Sequence, residues 1–143
     1  MIQSVRQSDI TEALRNIPLF DGLSKADLRM LSRLVTTARF RDGTTVARQG
    51  VLGREAMIIR SGTVEVRRDG RKVAELGPGD VVGEMSLINN APRTADVVAT
   101  SDVLLLVMDA REFTSLLNHQ PKVAVKILKT VVARLIENQN HRV

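Results

Sequence analysis

Two spacings of apolar residues alternate along this chain and divide it into three stretches. In residues 1–37 the spacing is helical. Leu28, Leu31, Leu34 and Val35 fall on one apolar stripe. Ser24 and Asp27 stand at capping-box positions before it, with Asp where Glu or Gln is usual. Asp9 is placed to cap an earlier short helix. That helix should end before Pro18, because the residue preceding a proline avoids the helical region.

From residue 38 to 108 the pattern becomes one of short apolar runs between turn residues. Val46-Ala47, Met57-Ile58-Ile59, Val64/Val66, Val73/Leu76, Val81-Val82, Val97-Val98 and Val103 to Met108 predict strands. Asp42-Gly43, Ser61-Gly62, Asp69-Gly70 and Gly77-Pro78-Gly79-Asp80 separate them. Many short strands at this spacing predict a small antiparallel barrel or jelly roll. Asp69-Gly70, between Val64-Glu65-Val66 and Val73-Ala74-Glu75-Leu76, is a two-residue hairpin signal.

Residues 109–143 return to helical spacing. Asp109 and Glu112 form a capping box, and Pro121 stands where a helix can start. Val123, Ile127, Leu128, Val131, Leu135 and Ile136 then mark one stripe of a long helix whose other face carries Lys122, Lys126, Lys129 and Arg134. The expectation is one α+β domain over 1–143, an antiparallel β-roll flanked by N-terminal helices and a long C-terminal helix.

Composition changes this picture little. The chain has 143 residues, 43% apolar and 26% charged, an ordinary balance for a single folded domain. Three Phe and no Trp or Tyr leave the core to aliphatic residues. With no cysteine, disulfides, thiolate metal sites and iron–sulfur clusters are excluded. No stretch is apolar enough to span a membrane, and the first residues lack a signal-peptide run, so a cytoplasmic setting without membrane association is expected. The net charge of +5 is uneven: residues 1–72 carry 14 Lys+Arg against 8 Asp+Glu, and residues 73–143 carry 7 against 8. The basic residues are scattered and read as a solvated surface.

One segment interrupts the strand pattern: Gly83-Glu84-Met85-Ser86-Leu87-Ile88-Asn89-Asn90-Ala91-Pro92-Arg93-Thr94-Ala95. It is too polar and too punctuated for a strand. A short helical turn after Gly83 would offer free N–H groups to an anion. Arg93 offers a permanently charged fork for two phosphate oxygens. Thr94 adds a hydroxyl, and Ala95 keeps the backbone accessible. Glu84 repels a phosphate but suits a ligand that also presents hydroxyl donors, since a carboxylate only accepts hydrogen bonds. From the residues alone, a sugar-phosphate or nucleotide site and a simple Glu84–Arg93 ion pair stand level.

The segment resembles the phosphate-binding cassette of the cyclic nucleotide-binding domain family, roughly Phe-Gly-Glu-x-Ala-Leu, a spacer, then Pro-Arg-Ser/Thr/Ala-Ala. Here it reads Val82-Gly83-Glu84-Met85-Ser86-Leu87 and Pro92-Arg93-Thr94-Ala95. Pro18-Leu19-Phe20 with Leu23, Gln49-Gly50, Ile58 to Val64 and Gly77-Pro78-Gly79-Asp80 resemble other motifs of that family. The resemblance implies a jelly-roll fold and a cyclic purine mononucleotide, cyclic AMP before cyclic GMP, as ligand rather than a cofactor. It implies that Glu84 accepts from the ribose 2′-hydroxyl and that Arg93, helped by Thr94, binds the cyclic phosphate. Backbone N–H groups near Met85, Ser86 and Ala95 would complete a cradle that opens at Gly83. It also implies that the C-terminal helix is a lid, with Arg134 over the purine and Leu135 beside it. Val82 for Phe, Ser86 for Ala, and Gly53-Arg54-Glu55 for Gly-Asp depart from the family pattern.

Other readings are weaker. A cupin-type enzyme needs clustered metal ligands, whereas His119 and His141 are predicted in a turn and in the tail. Neither a Gly-x-Ser-x-Gly nor a P-loop is present, so catalysis is not expected. The chain stops at Val143 without a helix-turn-helix, so sequence-specific DNA binding is not expected either. A β-roll that has lost its ligand and serves protein contacts, or binds nucleic acid non-specifically, is the alternative. Without an output domain, a downstream protein or a second copy is the expected partner.

Overall fold

The structure, a computed structural model, describes residues 2–3, 7–83, 86–87 and 90–140. Helices α1 (Gln7–Arg15) and α2 (Lys25–Ser32), with a 3-10 turn at Pro18–Phe20 between them, precede most of the sheet residues. The strands are β1 (Ile2–Gln3), β2 (Thr36–Phe40), β3 (Thr45–Ala47), β4 (Glu55–Ser61), β5 (Val64–Arg68), β6 (Arg71–Leu76), β7 (Val81–Val82), β8 (Asp96–Ala99) and β9 (Val103–Asp109), of which β3 to β9 fall on the predicted apolar runs. Helices α3 (Ala110–His119) and α4 (Pro121–Asn140) close the described chain.

All strand pairs are antiparallel, in a five-stranded sheet ordered β1-β2-β9-β4-β7 and a four-stranded sheet ordered β3-β8-β5-β6. The unbroken apolar runs in β4 and β9 are explained by burial on both faces. Ala56, Ile58, Leu106 and Met108 point into a core shared with the helices, where they meet Leu14, Phe20, Leu31, Phe113, Leu116 and Val123. Their neighbours Met57, Ile59, Leu105 and Val107 point into a second core between the sheets, against Val64, Val97 and Ala99. The five-stranded sheet is therefore the middle layer. The architecture is the predicted jelly roll with flanking helices.

The local signals held where the chain needs only itself. Asp69 and Gly70 have φ of 54° and 79°, the left-handed pair that a two-residue hairpin requires. Both capping boxes form. Ser24 Oγ accepts from Asp27 N–H at 3.1 Å and Asp109 Oδ1 accepts from Glu112 N–H at 2.8 Å, each returned by the acidic partner. Pro121 starts α4.

Five expectations need correction. Asp9 does not stand before the helix as its N-cap residue. It lies in the first turn of α1, which begins at Gln7, where a carboxylate suits the exposed N–H dipoles. α2 ends at Ser32, so Leu34 and Val35 lie beyond it; Arg33 and Leu34 instead donate to Met30 and Leu31 carbonyls in a tightened last turn. The β-roll begins at Thr36, not at residue 38, and Ile2–Gln3 pairs with Thr37 and Ala38. His119 is not in a turn but ends α3, its Nδ1 2.8 Å from the Ser115 carbonyl oxygen. The α4 stripe splits: Val123 and Ile127 are buried, whereas Leu128, Leu135 and Ile136 are exposed. His141 lies outside the described residues.

Polar contacts fasten the helices to one another. Lys126 Nζ on α4 donates to the carbonyls of Pro18 (3.2 Å) and Asp21 (3.3 Å). A hydrogen bond from the Gln120 side chain, then those from Ser24, hold the Asp27 carboxyl below its usual range. A lowered folded-state pKa gives stability that is present above the ordinary carboxylate range and lost as pH falls through the folded value. Asp27→Asn should therefore lower Tm slightly at neutral pH, and the difference from the parent should shrink as pH falls through the carboxyl's lowered folded-state value. Thermal unfolding at a series of pH values checks this; a difference that grows in acid contradicts it.

Candidate functional site

The segment 83–95 leaves the middle sheet after β7 and joins the second sheet at β8. Gly83 has φ +86°, a conformation an L side chain rarely adopts. A methyl there would also run into Arg93 Nη1 and approach the Glu55 carbonyl oxygen to 2.9 Å. Glycine at this position lets the backbone lie directly against the guanidinium. Ser86 and Leu87 are helical, as the sequence led us to expect for this segment.

Arg93 is held mainly by main chain. Its N–H donates to the Val51 carbonyl and its carbonyl accepts from Gly50 N–H, both at 2.8 Å. Leu52 and Pro92 form an isolated β-bridge alongside. Its Nη2 donates to the Glu55 carbonyl at 3.0 Å. A methyl on Gly53 would lie 2.9 Å from Arg93 Cζ. The guanidinium thus rests between Gly53 and Gly83, with one nitrogen tied to a carbonyl, in a geometry fixed before any anion arrives. Such preorganised donors are what an oxyanion site needs.

The second sheet buttresses the exit of the segment. Arg68 Nε on β5 donates to the Thr94 carbonyl at 3.1 Å. Gln49 grips the hairpin tip in both directions, donating from Nε2 to Asp69 Oδ1 and accepting from Asp69 N–H, both at 2.9 Å. Its own N–H donates to Asp96 Oδ1 at 2.7 Å. Thr94 is exposed, Ala95 is buried, and Arg93 is half-buried.

Of the residues singled out from sequence, Gly83, Ser86, Arg93, Thr94 and Ala95 gather here. Glu84 and Met85 lie outside the described residues. Arg134 belongs to the α4 backbone, but its side chain also lies outside what is described; its neighbour Leu135 is exposed. Sequence reasoning missed the parts played by Gly50, Val51, Gly53 and the Glu55 carbonyl. The signal was the glycine spacing in Gly50-Val51-Leu52-Gly53, but which segment approaches it is settled only by the sheet. It also missed Arg68, which reads as one more surface cation. Among the described residues, no group of three His, Asp or Glu could hold a metal ion, and no helix is long and apolar enough to cross a membrane.

Comparison with known proteins bears on this geometry. The sequence profile of the cyclic nucleotide-binding domain matches residues 37–120, from β2 through α3. A cyclic nucleotide-gated potassium channel of Rhizobium etli is 33% identical over 135 residues, covering 92% of this chain and 38% of the channel. The cyclic AMP receptor protein of Thermus thermophilus is 30% identical over 129 residues, covering 87% of this chain and 60% of that protein. The crystal structure of the catabolite activator protein of the same organism superposes with a TM-score of 0.77 at 31% identity, covering 87% of this chain and 61% of that one. A cyclic nucleotide-binding domain from Methylobacillus flagellatus also superposes at 0.77, with 26% identity, covering 95% of this chain and 82% of the domain. The chain spans about two to three fifths of the two full-length relatives named. The profile match across the sheets, the shared jelly roll and the arginine seated between two glycines agree: this chain belongs to the cyclic nucleotide-binding domain family.

Proposed function

We propose that this domain binds a cyclic purine mononucleotide, cyclic AMP more tightly than cyclic GMP, on the segment 83–95, and that it is a ligand-gated regulatory module rather than an enzyme. The observation that carries this reading is Arg93, whose guanidinium is held by main chain against Gly53 and Gly83. The cyclic phosphate pairs with that fork and with the exposed Thr94 hydroxyl. Backbone N–H groups of Met85, Ser86 and Ala95 complete the cradle, and Glu84 accepts from the ribose 2′-hydroxyl. The preference for cyclic AMP is supported by the relatives named for it, the Thermus receptor and a protein kinase regulatory subunit of Mycosarcoma maydis that is 38% identical over 123 residues.

The signal leaves through α4. Val125, Leu128, Val132, Leu135 and Ile136 on that helix are all exposed, at 45–61%. An apolar stripe of this kind suits a helix that changes its contacts. In the closed form Leu135 and Arg134 cover the base; in the open form the stripe is offered to a downstream protein or a second copy. A ligand shifts such an equilibrium only by binding the two forms unequally, and a lid that touches the base only when closed supplies the inequality.

Titration calorimetry of the chain with cyclic AMP and with cyclic GMP tests the reading. Both should bind, cyclic AMP more tightly, and Arg134→Ala should weaken both. A chain that binds neither has lost the ligand and leaves the interaction-module reading standing. Equal affinities remove the base preference, and an unaffected Arg134→Ala removes the lid.

A further inference from the structure

Ser86 stands where the family resemblance expects Ala, and it is only 4% exposed. A buried hydroxyl persists where its hydrogen bonds are made, and this one makes two. Its oxygen accepts from the Gly53 N–H at 3.1 Å, and its proton goes to the Ala91 carbonyl. The Ser86 carbonyl in turn accepts from Ala91 N–H at 3.1 Å. The single hydroxyl therefore closes the spacer between the two halves of the segment and fastens it to the loop before β4.

Gly53 is the meeting point. It is buried, and a methyl on it would lie 2.5 Å from Ser86 Oγ and 2.9 Å from Arg93 Cζ. Ser86 and Arg93 thus pack on the same glycine from two parts of the segment. Fixing Gly53 through Ser86 fixes the wall on which the guanidinium rests.

From this geometry we infer that Ser86 is a positioning residue for the anion site: its hydroxyl latches the spacer and Gly53 together, so that Arg93 is held ready for phosphate. Ser86 need not touch the ligand through that hydroxyl, whose proton and acceptor direction are both engaged within the protein. The inference rests on the proposed nucleotide reading only for its effect on affinity; the latch itself is a property of the free chain.

Two measurements on Ser86→Ala test it. Removing the hydroxyl strands the buried Gly53 N–H and frees the part-buried Ala91 carbonyl, so amide exchange at Gly53 in the free chain should speed up at least about tenfold. Cyclic AMP affinity should fall about tenfold as the cradle loosens, while far-UV spectra stay those of the parent. Parent-like affinity overturns the inference. So does an affinity loss with Gly53 exchange unchanged, since the hydroxyl would then act on the ligand directly. If Ser86→Ala fails to fold, Ser86→Cys carries the same test, because a thiol keeps the shape but is only a weak donor and acceptor; parent-like affinity there also overturns the inference. If the parent binds neither cyclic AMP nor cyclic GMP, the nucleotide reading fails, and Gly53 exchange in Ser86→Ala still decides the latch.

Discussion

Arg93→Ala should weaken cyclic AMP binding by about 2–5 kcal/mol, the typical cost of removing one member of a desolvated charge pair. That corresponds to a range from roughly thirtyfold to several thousandfold in Kd. The loss falls on binding rather than folding because the main-chain bonds of Arg93, to Gly50 and Val51, survive truncation at Cβ. The Nη2 bond to the Glu55 carbonyl is lost with the side chain, while the backbone pairing that seats the segment stays. Arg93→Lys should recover part of the affinity. An ammonium restores the charge but not the planar fork that meets two phosphate oxygens and lies flat against two glycines. Calorimetry of both variants, with thermal unfolding as the control for folding, checks this. Unchanged affinity in Arg93→Ala removes segment 83–95 as the phosphate site.

Leu106→Ala has the opposite profile. Leu106 is fully buried in the middle strand of the middle layer, paired with Thr37 on one side and Ile58 on the other, and it faces the helices. Its removal costs about 2–5 kcal/mol in transfer and cavity terms, because three neighbouring elements cannot collapse at once. At roughly 3 °C per kcal/mol for a domain of this size, Tm should drop by about 6–15 °C. Cyclic AMP affinity, measured well below the lowered Tm, should stay within about threefold, since sites that share no partner are nearly additive. A Tm loss under about 2 °C would contradict the packing described for this layer.

These two residues differ in how well the sequence announced them. Leu106 lies in the run Val103 to Met108, which reads as a strand, but the run does not say that its alternate residues serve two different cores. Arg93 was legible from its Pro-Arg-Thr-Ala setting. Its support was not, because Gly53 and the Glu55 carbonyl are 40 and 38 residues away along the chain. His119, expected in a turn, proved to end a helix, because its neighbours continue the α3 hydrogen-bond ladder. The α4 stripe shows the same division. Its periodicity was plain, but which of its apolar residues are covered depends on how far the neighbouring elements reach along it.

By itself, the sequence determined the features whose energetics are settled within four or five residues. These are the Asp69-Gly70 hairpin, the Ser24 and Asp109 capping boxes, and the start of α4 at Pro121. Each depends on a dihedral preference or a hydrogen bond between near neighbours. The tertiary structure alone decided that Ile2–Gln3 pairs with β2, that the five-stranded sheet is the middle layer, and that Gly53 meets Ser86 and Arg93. Those outcomes depend on contacts between segments far apart in the chain, where the free energy comes from burial and register rather than from local conformational preference.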